Sequence, residues 1–364
     1  MLPTAAYVDA DVFAWEQEHV FGGGWFAATH VSAVREPGAQ RAVAAAGREV
    51  LLVRGADRVL RGFANACRHR GHELLGVGDP VCRASVRCPY HGWTYDLDGA
   101  LRRATGGADL DADEFALAPV RVEEHLGWVF VNAGSPAEPI AAALIGLDEI
   151  LGPYDAGALV PCARHEYVVE ANWKVLHENY QECLHCPRIH PEFCGVSPPE
   201  SGDNIAPGPS WIGGWMDLAS SAETMSMTGR GIAAPLPGLD EQARRRVGYF
   251  ALLPNLLVSA HPDYVLTHRL EPLAPDRTRV ECEWLVASDA ASIPGFDPAD
   301  AVELWDITNR QDWAACESVQ RGLSSSSHVP GPLTPREDAV AHVVAWFARA
   351  YLGDHGATAE ERSR

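Results

Sequence analysis

The segment ECLHCPRIHP, residues 182–191, places two cysteines and two histidines close together in the chain. These four residues are Cys183, His185, Cys186 and His190. Together they have the ligand types of a tetrahedral zinc site. The two histidines with a carboxylate from elsewhere in the chain have instead the ligand types of a non-haem iron(II) facial triad. This segment alone leaves both interpretations open.

A second group of cysteines and histidines lies upstream, in the motifs Cys67-x-His69 and Cys88-x2-His91, which are separated by eighteen residues. Two thiolates and two imidazoles on two loops suit a [2Fe-2S] cluster with histidines on one iron. Histidine ligation raises the reduction potential above that of an all-cysteine cluster. A Cys2His2 zinc site is the alternative, but zinc does not require the PYHGW sequence at the second cysteine.

The elements that must position these residues follow from local patterns. Short apolar runs between turn residues predict a small β domain up to about residue 150. Residues 172–185 have apolar side chains at helical spacing, and Asn172 is a candidate N-cap. Pro187 and Pro191 disfavour helical backbone at the residues before them, so we expect the helix to end near His185.

Two further elements follow in the second half of the chain. The sequence VLTHRLEPLAPDRTRVECEWLVAS alternates apolar and polar residues on both sides of Pro275-Asp276, which predicts a β-hairpin. Residues 299–322 have apolar side chains at helical offsets and end at Gly322, which predicts a long helix.

Composition limits the possible partners. The chain has 364 residues, 47% of them hydrophobic, which favours two domains. Its 29 basic and 49 acidic residues argue against nucleic acid as a partner. No apolar window is long enough for a membrane span, and we expect a cytoplasmic protein. The nine cysteines are therefore predicted to be thiols or metal ligands rather than a disulfide framework.

With these motifs the chain resembles the Rieske non-haem iron oxygenases. His72 and Tyr90 stand where Rieske proteins of respiratory complexes carry an additional cysteine pair. The resemblance implies an α+β fold with an N-terminal all-β Rieske domain and a C-terminal helix-grip catalytic domain that contains an antiparallel sheet. We expect an N-terminal helical segment packing on the catalytic domain over residues 1–40, the Rieske domain over 41–145, and the mononuclear iron domain over 146–364.

The family's second motif is a carboxylate followed by two histidines, and Glu182, His185 and His190 match it. The resemblance therefore implies mononuclear iron(II) with an open coordination face for O2. Asp312 matches the family position of the third ligand, and Glu317 is the alternative.

The same resemblance argues against zinc, because a Rieske cluster requires a centre that receives its electrons. Cys183 and Cys186 are then predicted to be packing thiols. The chain has no G-x-G-x-x-G strand–turn–helix unit and no P-loop, so NAD(P)H is expected to act only through a separate reductase, with or without a ferredoxin. The family arrangement implies a head-to-tail homotrimer or a multiple of it.

Glu182 has a specific role in this arrangement. Its carboxylate is predicted to hydrogen-bond His185 of its own chain and His91 of the partner subunit, and so to form an electron bridge. Asn179, which precedes it on the predicted helix, is expected to support the iron ligands.

Glutamate at residue 182 resembles the branch of the family that acts on quaternary ammonium compounds such as carnitine, glycine betaine and choline. Such a small-molecule cation binds to aromatic faces. The candidate aromatic residues are Trp211, Trp215, Tyr249, Phe250, Tyr264 and Trp305. The expected reaction is N-demethylation or C-hydroxylation by a monooxygenase. Two alternatives stay open, a hydroxylase or dioxygenase for an aromatic or carboxylate substrate, and a non-catalytic Rieske electron-transfer protein.

Overall fold

The computed structural model describes residues 1–45, 47–106, 110–134 and 138–353. The chain divides into two compact units. The small unit is Gln17–Ile140, and the large unit combines Met1–Glu16 with the chain from Ala141 onward. This division differs from the predicted one, in which the N-terminal segment extended to residue 40. Residues 17–40 belong to the small unit because they include a strand of its sheet.

The small unit consists of short antiparallel strands. They are β1 (Phe26–His30), β2 (Ala39–Ala45), β3 (Arg48–Arg54), β4 (Leu60–Ala64), β5 (Val81–Cys82), β6 (Val86–Arg87), β7 (Thr94–Tyr95), β8 (Leu101–Arg103), β9 (Pro119–His125) and β10 (Trp128–Asn132). Seven of them form a sheet in the order β1-β10-β9-β4-β3-β2-β5, and β6-β7-β8 form a second sheet. The predicted all-β domain is confirmed.

An apolar cluster of the small unit includes the cysteines of both motifs. The fully buried members are Leu51, Val53, Phe63, Cys67, Leu74, Val86, Cys88, Trp93, Tyr95, Leu101 and Leu117. Because Cys67 and Cys88 belong to this cluster, the apolar core packs against both motif loops.

The large unit combines helices with one antiparallel sheet. Its helices are α1 (Ala5–Val8), α2 (Ala10–Glu16), α3 (Ile140–Ala143), α4 (Leu147–Leu151), α5 (Trp173–Tyr180), α6 (Cys186–Ile189), α7 (Pro191–Val196), α8 (Ala299–Leu323) and α9 (Asp338–Tyr351). Its strands are β11 (Val160–Val169), β12 (Asp203–Asn204), β13 (Trp211–Asp217), β14 (Arg246–Leu252), β15 (Leu256–Ala260), β16 (Val265–Ala274) and β17 (Arg277–Val286). Across the described residues, no helix combines the length and apolar character that a bilayer crossing requires.

The sheet of the large unit has the order β11-β17-β16-β15-β14-β13-β12, and α8 packs against both α5 and β11. The predicted hairpin is confirmed, since Ala274 of β16 pairs with Arg277 of β17 across the expected turn. The predicted late helix is confirmed as α8. The antiparallel sheet with its long helix agrees with the catalytic fold that the sequence indicated.

Helix α5 begins as predicted and ends earlier than predicted. The Asn172 side chain caps its first turn by accepting a backbone hydrogen bond. The helix ends at Tyr180, so the expected end near residue 185 was wrong. Beyond it, the Glu182 carboxylate accepts the backbone N–H of Leu184, and this local bond stabilises a turn in place of a further helical turn.

A buried ion pair joins α2 to α5. Lys174 and Glu16 are fully buried, and Lys174 Nζ lies 2.6 Å from Glu16 Oε1. Trp173 Nε1 donates to the other carboxylate oxygen at 2.9 Å, and the Tyr351 hydroxyl also donates to this carboxylate. Burial lowers the pKa of Lys174, whereas the adjacent carboxylate raises it. The network therefore connects α5 to α2 through Glu16 and to α9 through Tyr351.

We expect Lys174→Met to lower the free energy of unfolding of the large unit by about 3–5 kcal/mol, because it leaves the Glu16 carboxylate buried without its cation. Urea unfolding followed by near-ultraviolet circular dichroism measures the change. The double variant Glu16→Gln/Lys174→Met should recover most of the loss, because neither remaining group is charged.

Arg61→Met is the matched control, because the Arg61–Asp57 pair is also a close ion pair but is partly exposed. It should cost about 1 kcal/mol or less. Equal losses for Lys174→Met and Arg61→Met would contradict the role given to the buried pair.

Candidate metal centres

The two cysteine–histidine loops of the small unit share one backbone arrangement. In each loop the N–H of the cysteine, Cys67 or Cys88, donates at 2.8 Å to the carbonyl of the residue five positions later. The glycine four positions after the cysteine, Gly71 or Gly92, donates back to the cysteine carbonyl at 2.8 or 3.1 Å. Both glycines have φ near +73° to +74°, in the left-handed region that glycine adopts without strain. The sequence pattern therefore encodes two equivalent loops.

The four motif side chains separate into a buried pair and a surface pair. Cys67 and Cys88 are buried free cysteines, while His69 is exposed and His91 is half-buried. The two imidazole rings lie 4.8 Å apart, and His69 stacks on Trp93 at 4.9 Å. Two buried thiols and two imidazoles nearer the surface are the donor set of a [2Fe-2S] cluster with cysteine on one iron and histidine on the other.

Tyr95 was not recognised from the sequence as part of this site. Its buried hydroxyl oxygen lies 3.3 Å from Cys67 Sγ and accepts the backbone N–H of Arg68 at 3.1 Å. A cysteine that binds a cluster is a thiolate without a proton, so in the cluster-bound protein the hydroxyl would be the donor to the sulfur. Burial and the bond to Cys67 raise the pKa of Tyr95, so the hydroxyl remains a donor. The signal was its place in the short strand β7 directly after the second motif.

We expect Tyr95→Phe to lower the midpoint potential of a cluster at this site by roughly 50 mV, since loss of ~1 kcal/mol of hydrogen bonding weakens the reduced, more negative state. Spectroelectrochemical titration of the visible absorption measures the shift. Tyr90→Phe is the matched control, because the Tyr90 ring lies tilted against the His91 ring, with centroids 3.7 Å apart, and has no described bond to either cysteine. Equal shifts in the two variants would contradict the proposed hydrogen bond.

In the large unit, two histidines and one carboxylate converge. His185 lies in the turn before α6, His190 lies between α6 and α7, and Asp312 lies on α8. Asp312 Oδ1 is 2.8 Å from His190 Nε2 and 3.3 Å from His185 Nε2. Three donor atoms of this kind on one side of a centre are the ligand set of a facial triad.

Neighbouring side chains orient the two imidazoles. His185 Nδ1 donates to Glu182 at 2.5 Å, and His190 Nδ1 donates to Gln311 Oε1 at 2.7 Å. With a proton on each Nδ1, each Nε2 presents a lone pair to the centre. The tautomers that a metal requires are thus fixed by the protein.

The charges at this centre favour a cation. Burial lowers the pKa of His185, but the hydrogen bonds and charges of Asp312 and Glu182 outweigh it and raise this pKa to about 9. Asn179 Nδ2 also donates to Asp312 Oδ1, at 3.1 Å. A divalent metal bound by neutral imidazoles would supply the positive charge that these carboxylates favour.

The two α8 neighbours of Asp312 differ in position. Gln311, which the sequence reasoning missed, supports His190, and its only signal was its adjacency to Asp312. Glu317, the alternative third ligand, accepts the backbone N–H of Glu170 at 3.3 Å instead. Of the two carboxylates, Asp312 is the one in contact with the histidines.

The cysteines of the 182–191 segment form a disulfide, Cys183–Cys186, with Cα atoms 5.0 Å apart. The expectation that they are packing thiols was wrong. Because α5 ends at Tyr180, the chain turns tightly here and brings both side chains to the same side. The other seven cysteines of the chain are free.

A cavity of about 350 Å³ opens beside the histidines. Phe193, Tyr249 and Trp305 form what we term the aromatic cup, with ring centroids 6.0–6.4 Å apart. The Phe193 ring lies 6.2 Å from the His190 ring, so the cup adjoins the metal ligands. The Tyr249 hydroxyl is buried and has no hydrogen-bond partner among the described residues, which leaves it available to a ligand.

Three of the six aromatic residues suggested by the sequence line this cavity, namely Trp215, Tyr249 and Trp305. The other three do not line it, namely Trp211, Phe250 and Tyr264. Trp211 donates to a backbone carbonyl, Phe250 is fully buried, and Tyr264 accepts a 2.7 Å bond from Trp305 that orients the cup. Phe193 was missed, although it lies one helical turn after His190.

The charged residues around the cavity are mainly acidic. The lining carboxylates are those of Glu182, Asp203, Asp312 and Asp338. Arg336 is the single Arg or Lys that lines the cavity within the described chain, and it is exposed. The guanidinium of Arg246 covers the Trp215 ring at 3.9 Å, so this ring is less available than those of the cup. The cavity therefore suits a compact cation.

Two known families match the chain. Residues 157–353 match the family described as ring hydroxylating alpha subunit (catalytic domain). Residues 24–112 match the Rieske [2Fe-2S] domain family.

Individual relatives are similar along much of the chain. The glycine betaine monooxygenase oxygenase subunit of Chromohalobacter salexigens is 30% identical, over 96% of this chain and 86% of that protein. The carnitine monooxygenase oxygenase subunit of Escherichia coli K12 is 38% identical, over 53% of this chain and 52% of that protein.

A solved structure of a quaternary ammonium Rieske monooxygenase, reported with insights into carnitine oxidation by gut microbiota and inter-subunit electron transfer, is 25% identical. It has a TM-score of 0.82 and covers 98% of this chain and 95% of that one.

Proposed function

The chain belongs to the family of Rieske ring-hydroxylating oxygenase α subunits, and from this premise we propose that it oxidises a quaternary ammonium compound at a carbon attached to nitrogen. Enzymes of this family are O2-dependent oxidoreductases with a Rieske [2Fe-2S] cluster and a mononuclear iron. The observation that carries the substrate class is the aromatic cup beside the histidines, in a cavity lined mainly by carboxylates.

We assign the cluster ligands as Cys67, His69, Cys88 and His91, and the iron ligands as His185, His190 and Asp312. When bound, the cluster supplies single electrons and the iron supplies a site at which O2 is activated for insertion into a C–H bond. The protein keeps both imidazoles in the Nδ1-protonated form through Glu182 and Gln311. Asn179 restrains the carboxylate ligand through its hydrogen bond.

The cup would orient the substrate by its cationic end. A trimethylammonium group is attracted to aromatic faces within about 6 Å, worth ~1–2 kcal/mol in a desolvated site. With the nitrogen held there, the carbons bonded to it lie next to the metal ligands. Hydroxylation of one such carbon gives a hydroxyalkyl ammonium ion, which loses its hydroxyl proton and cleaves the C–N bond to an aldehyde and an amine. When that carbon is a methyl, the result is N-demethylation.

An aromatic or carboxylate substrate is the second candidate. An arene would fit the cup as well as a cation does, but it gains nothing from the carboxylates of Asp203 and Asp338, which are not assigned to the iron or its ligands. An anionic substrate would meet only the exposed Arg336. The charge distribution therefore favours the ammonium compound.

We further propose that electrons come from NAD(P)H through a separate reductase, with or without a ferredoxin, and that the chain forms a head-to-tail homotrimer. Support comes from the similar quaternary ammonium monooxygenase, for which inter-subunit electron transfer is described. A cytoplasmic location stays a prediction from the sequence.

In this arrangement Glu182 is proposed as the electron bridge to His91 of the partner subunit. One carboxylate oxygen accepts from His185 and the other from the backbone N–H of Leu184. Each carboxylate oxygen has a second lone pair, and the side chain is 15% exposed, so one further hydrogen bond can be accepted.

We expect the protein, supplied with a reductase and NADH, to consume O2 with a quaternary ammonium compound and to release an equimolar aldehyde. Glycine betaine, carnitine, choline and naphthalene are suitable probes, with oxygen uptake and mass spectrometry as readouts.

Trp305→Leu should raise KM for the ammonium substrate about tenfold through loss of a cation–π contact.

Asp312→Ala should keep the visible absorption of the cluster and lose the mononuclear iron together with turnover.

In the turnover assay with the wild-type protein, conversion of naphthalene without conversion of any ammonium compound would overturn the proposed substrate class.

We expect Glu182→Gln to retain both metal centres and reduction of the cluster by the reductase. Reoxidation of the pre-reduced cluster in a single turnover with substrate and O2 should slow by at least about a hundredfold, because the neutral amide disturbs the contact with His185. Stopped-flow absorption measures the rate. Glu200→Gln, which removes one charge from the same region, is the control. Wild-type reoxidation in the Glu182 variant would rule out the bridge.

A further inference from the structure

Cys186 lies next to the iron ligands as a potential fourth donor. Its Sγ is 3.8 Å from His185 Nε2. Ligand atoms of His185, Cys186 and His190 all lie within 4.8 Å of one another. Asp312 Oδ1 approaches both histidines at 2.8–3.3 Å. The fold thus assembles two imidazoles, a carboxylate and one sulfur around a single point.

These separations fit a tetrahedral zinc ion. Zinc–sulfur bonds of about 2.3 Å and zinc–nitrogen bonds of about 2.0–2.1 Å place neighbouring ligand atoms about 3.3–3.6 Å apart. The sulfur-to-nitrogen distance of 3.8 Å and the oxygen-to-nitrogen distance of 3.3 Å at His185 are within a few tenths of an ångström of this range. The oxygen-to-nitrogen distance at His190 is shorter, 2.8 Å, and the donor atoms of His185, Cys186 and His190 lie within 4.8 Å of one another, so some donors would shift to close the tetrahedron.

The disulfide decides whether the sulfur can act as a ligand. A thiolate is the form of cysteine that binds metals, and it favours zinc over harder ions. In the Cys183–Cys186 disulfide, Cys186 carries no thiolate. The site then has three donors, as an iron centre that binds O2 requires.

We propose that the redox state of the Cys183–Cys186 pair sets the metal preference of this site. In the disulfide form the site is a two-histidine, one-carboxylate centre for iron. Reduction by a cellular thiol adds two electrons and two protons and cleaves the S–S bond. Cys186 then releases its proton to solvent as it binds zinc and completes a four-donor site. The inference rests on the proposed iron ligands.

The consequence for the enzyme is a choice between two metals. Zinc binds to most nitrogen, oxygen and sulfur sites more tightly than iron(II). A four-coordinate zinc has no redox chemistry and leaves no open position for O2. The disulfide therefore withholds one zinc ligand from the site, and its reduction is a route to an inactive, zinc-bound form.

The two cysteines offer a matched pair of variants. Cys183→Ser leaves the Cys186 thiol permanently free beside the histidines. Cys186→Ser leaves only the Cys183 thiol, which does not belong to the cluster of converging donors. Neither variant can form the disulfide, so the pair separates the effect of the nearby sulfur from the effect of losing the bond.

The test uses the full chain with its cluster intact and its mononuclear iron removed by chelation. Zinc affinity is measured by competition with a chromophoric chelator, before and after anaerobic treatment with dithiothreitol that is then removed. Wild-type protein should bind zinc about a hundredfold more tightly when reduced, equivalent to ~2.7 kcal/mol. Cys183→Ser should bind tightly in both conditions, and Cys186→Ser weakly in both.

Cobalt(II) gives an independent readout. It should show sulfur-to-metal charge-transfer absorption in reduced wild type and in Cys183→Ser, and none in Cys186→Ser. Equal zinc affinities of oxidised and reduced wild type would overturn the inference, as would tight zinc binding by Cys186→Ser. Failure of the wild type to form the disulfide under an oxidant, detected by thiol labelling and mass spectrometry, would also overturn it.

Iron(II) binding separates this inference from the proposed function. If Asp312→Ala abolishes iron binding while zinc affinity does not respond to thiol reduction, the iron site stands and the redox preference fails. If Asp312→Ala changes neither iron nor zinc binding, the assignment of the iron ligands fails.

Discussion

One carboxylate oxygen, Asp312 Oδ1, holds the large unit's centre together. It lies within 3.3 Å of the Nε2 atoms of His185 and His190 and accepts a hydrogen bond from Asn179. These contacts connect α8, the end of α5 and the turns around α6. Every other feature of the centre depends on these segments meeting at one point.

The chain fixes these segments from outside the centre. Helix α5 is anchored by the buried pair of Lys174 with Glu16. Such a pair is costly to desolvate and is no strong source of net stability. It restricts where α5 can lie, and Asn179 near the end of this helix is thereby positioned against Asp312. The buried pair therefore contributes more to the geometry of the site than to the net stability of the fold.

Local chemistry explains what could be predicted from the sequence. Asn172 caps α5 with its own side chain, and the hairpin of β16 and β17 turns at the expected dipeptide, because neighbouring residues determine both. The proposed iron ligands came from a family motif in which the spacing of residues 182–190 carried the information. The boundary between the two units was predicted only approximately, because strand β1 belongs to a sheet whose other strands lie later in the chain.

Tertiary contacts explain what could not be predicted. The end of α5 depends on a carboxylate that accepts a bond two residues later, and helical spacing carries no sign of this competition. Tyr95 and Phe193 have ordinary aromatic positions in the sequence, yet one bonds to a cysteine sulfur and the other adjoins His190. Trp211 and Tyr264 were equally plausible cavity residues from the sequence, but both are buried and neither lines the cavity. Aromatic residues in a strand reveal their side only when the sheet is assembled.

The two cysteine pairs show how the backbone assigns different chemistry to the same residue type. Cys67 and Cys88 lie on separate loops, each closed by a glycine with positive φ, and their buried thiols stay free although they lie close to each other. Cys183 and Cys186 share one turn and form a disulfide. The first pair is available to bridge between loops through a cluster, whereas the second is constrained to bond within itself. Because His185 lies between the second pair, the state of that bond acts directly on the donors presented to the metal.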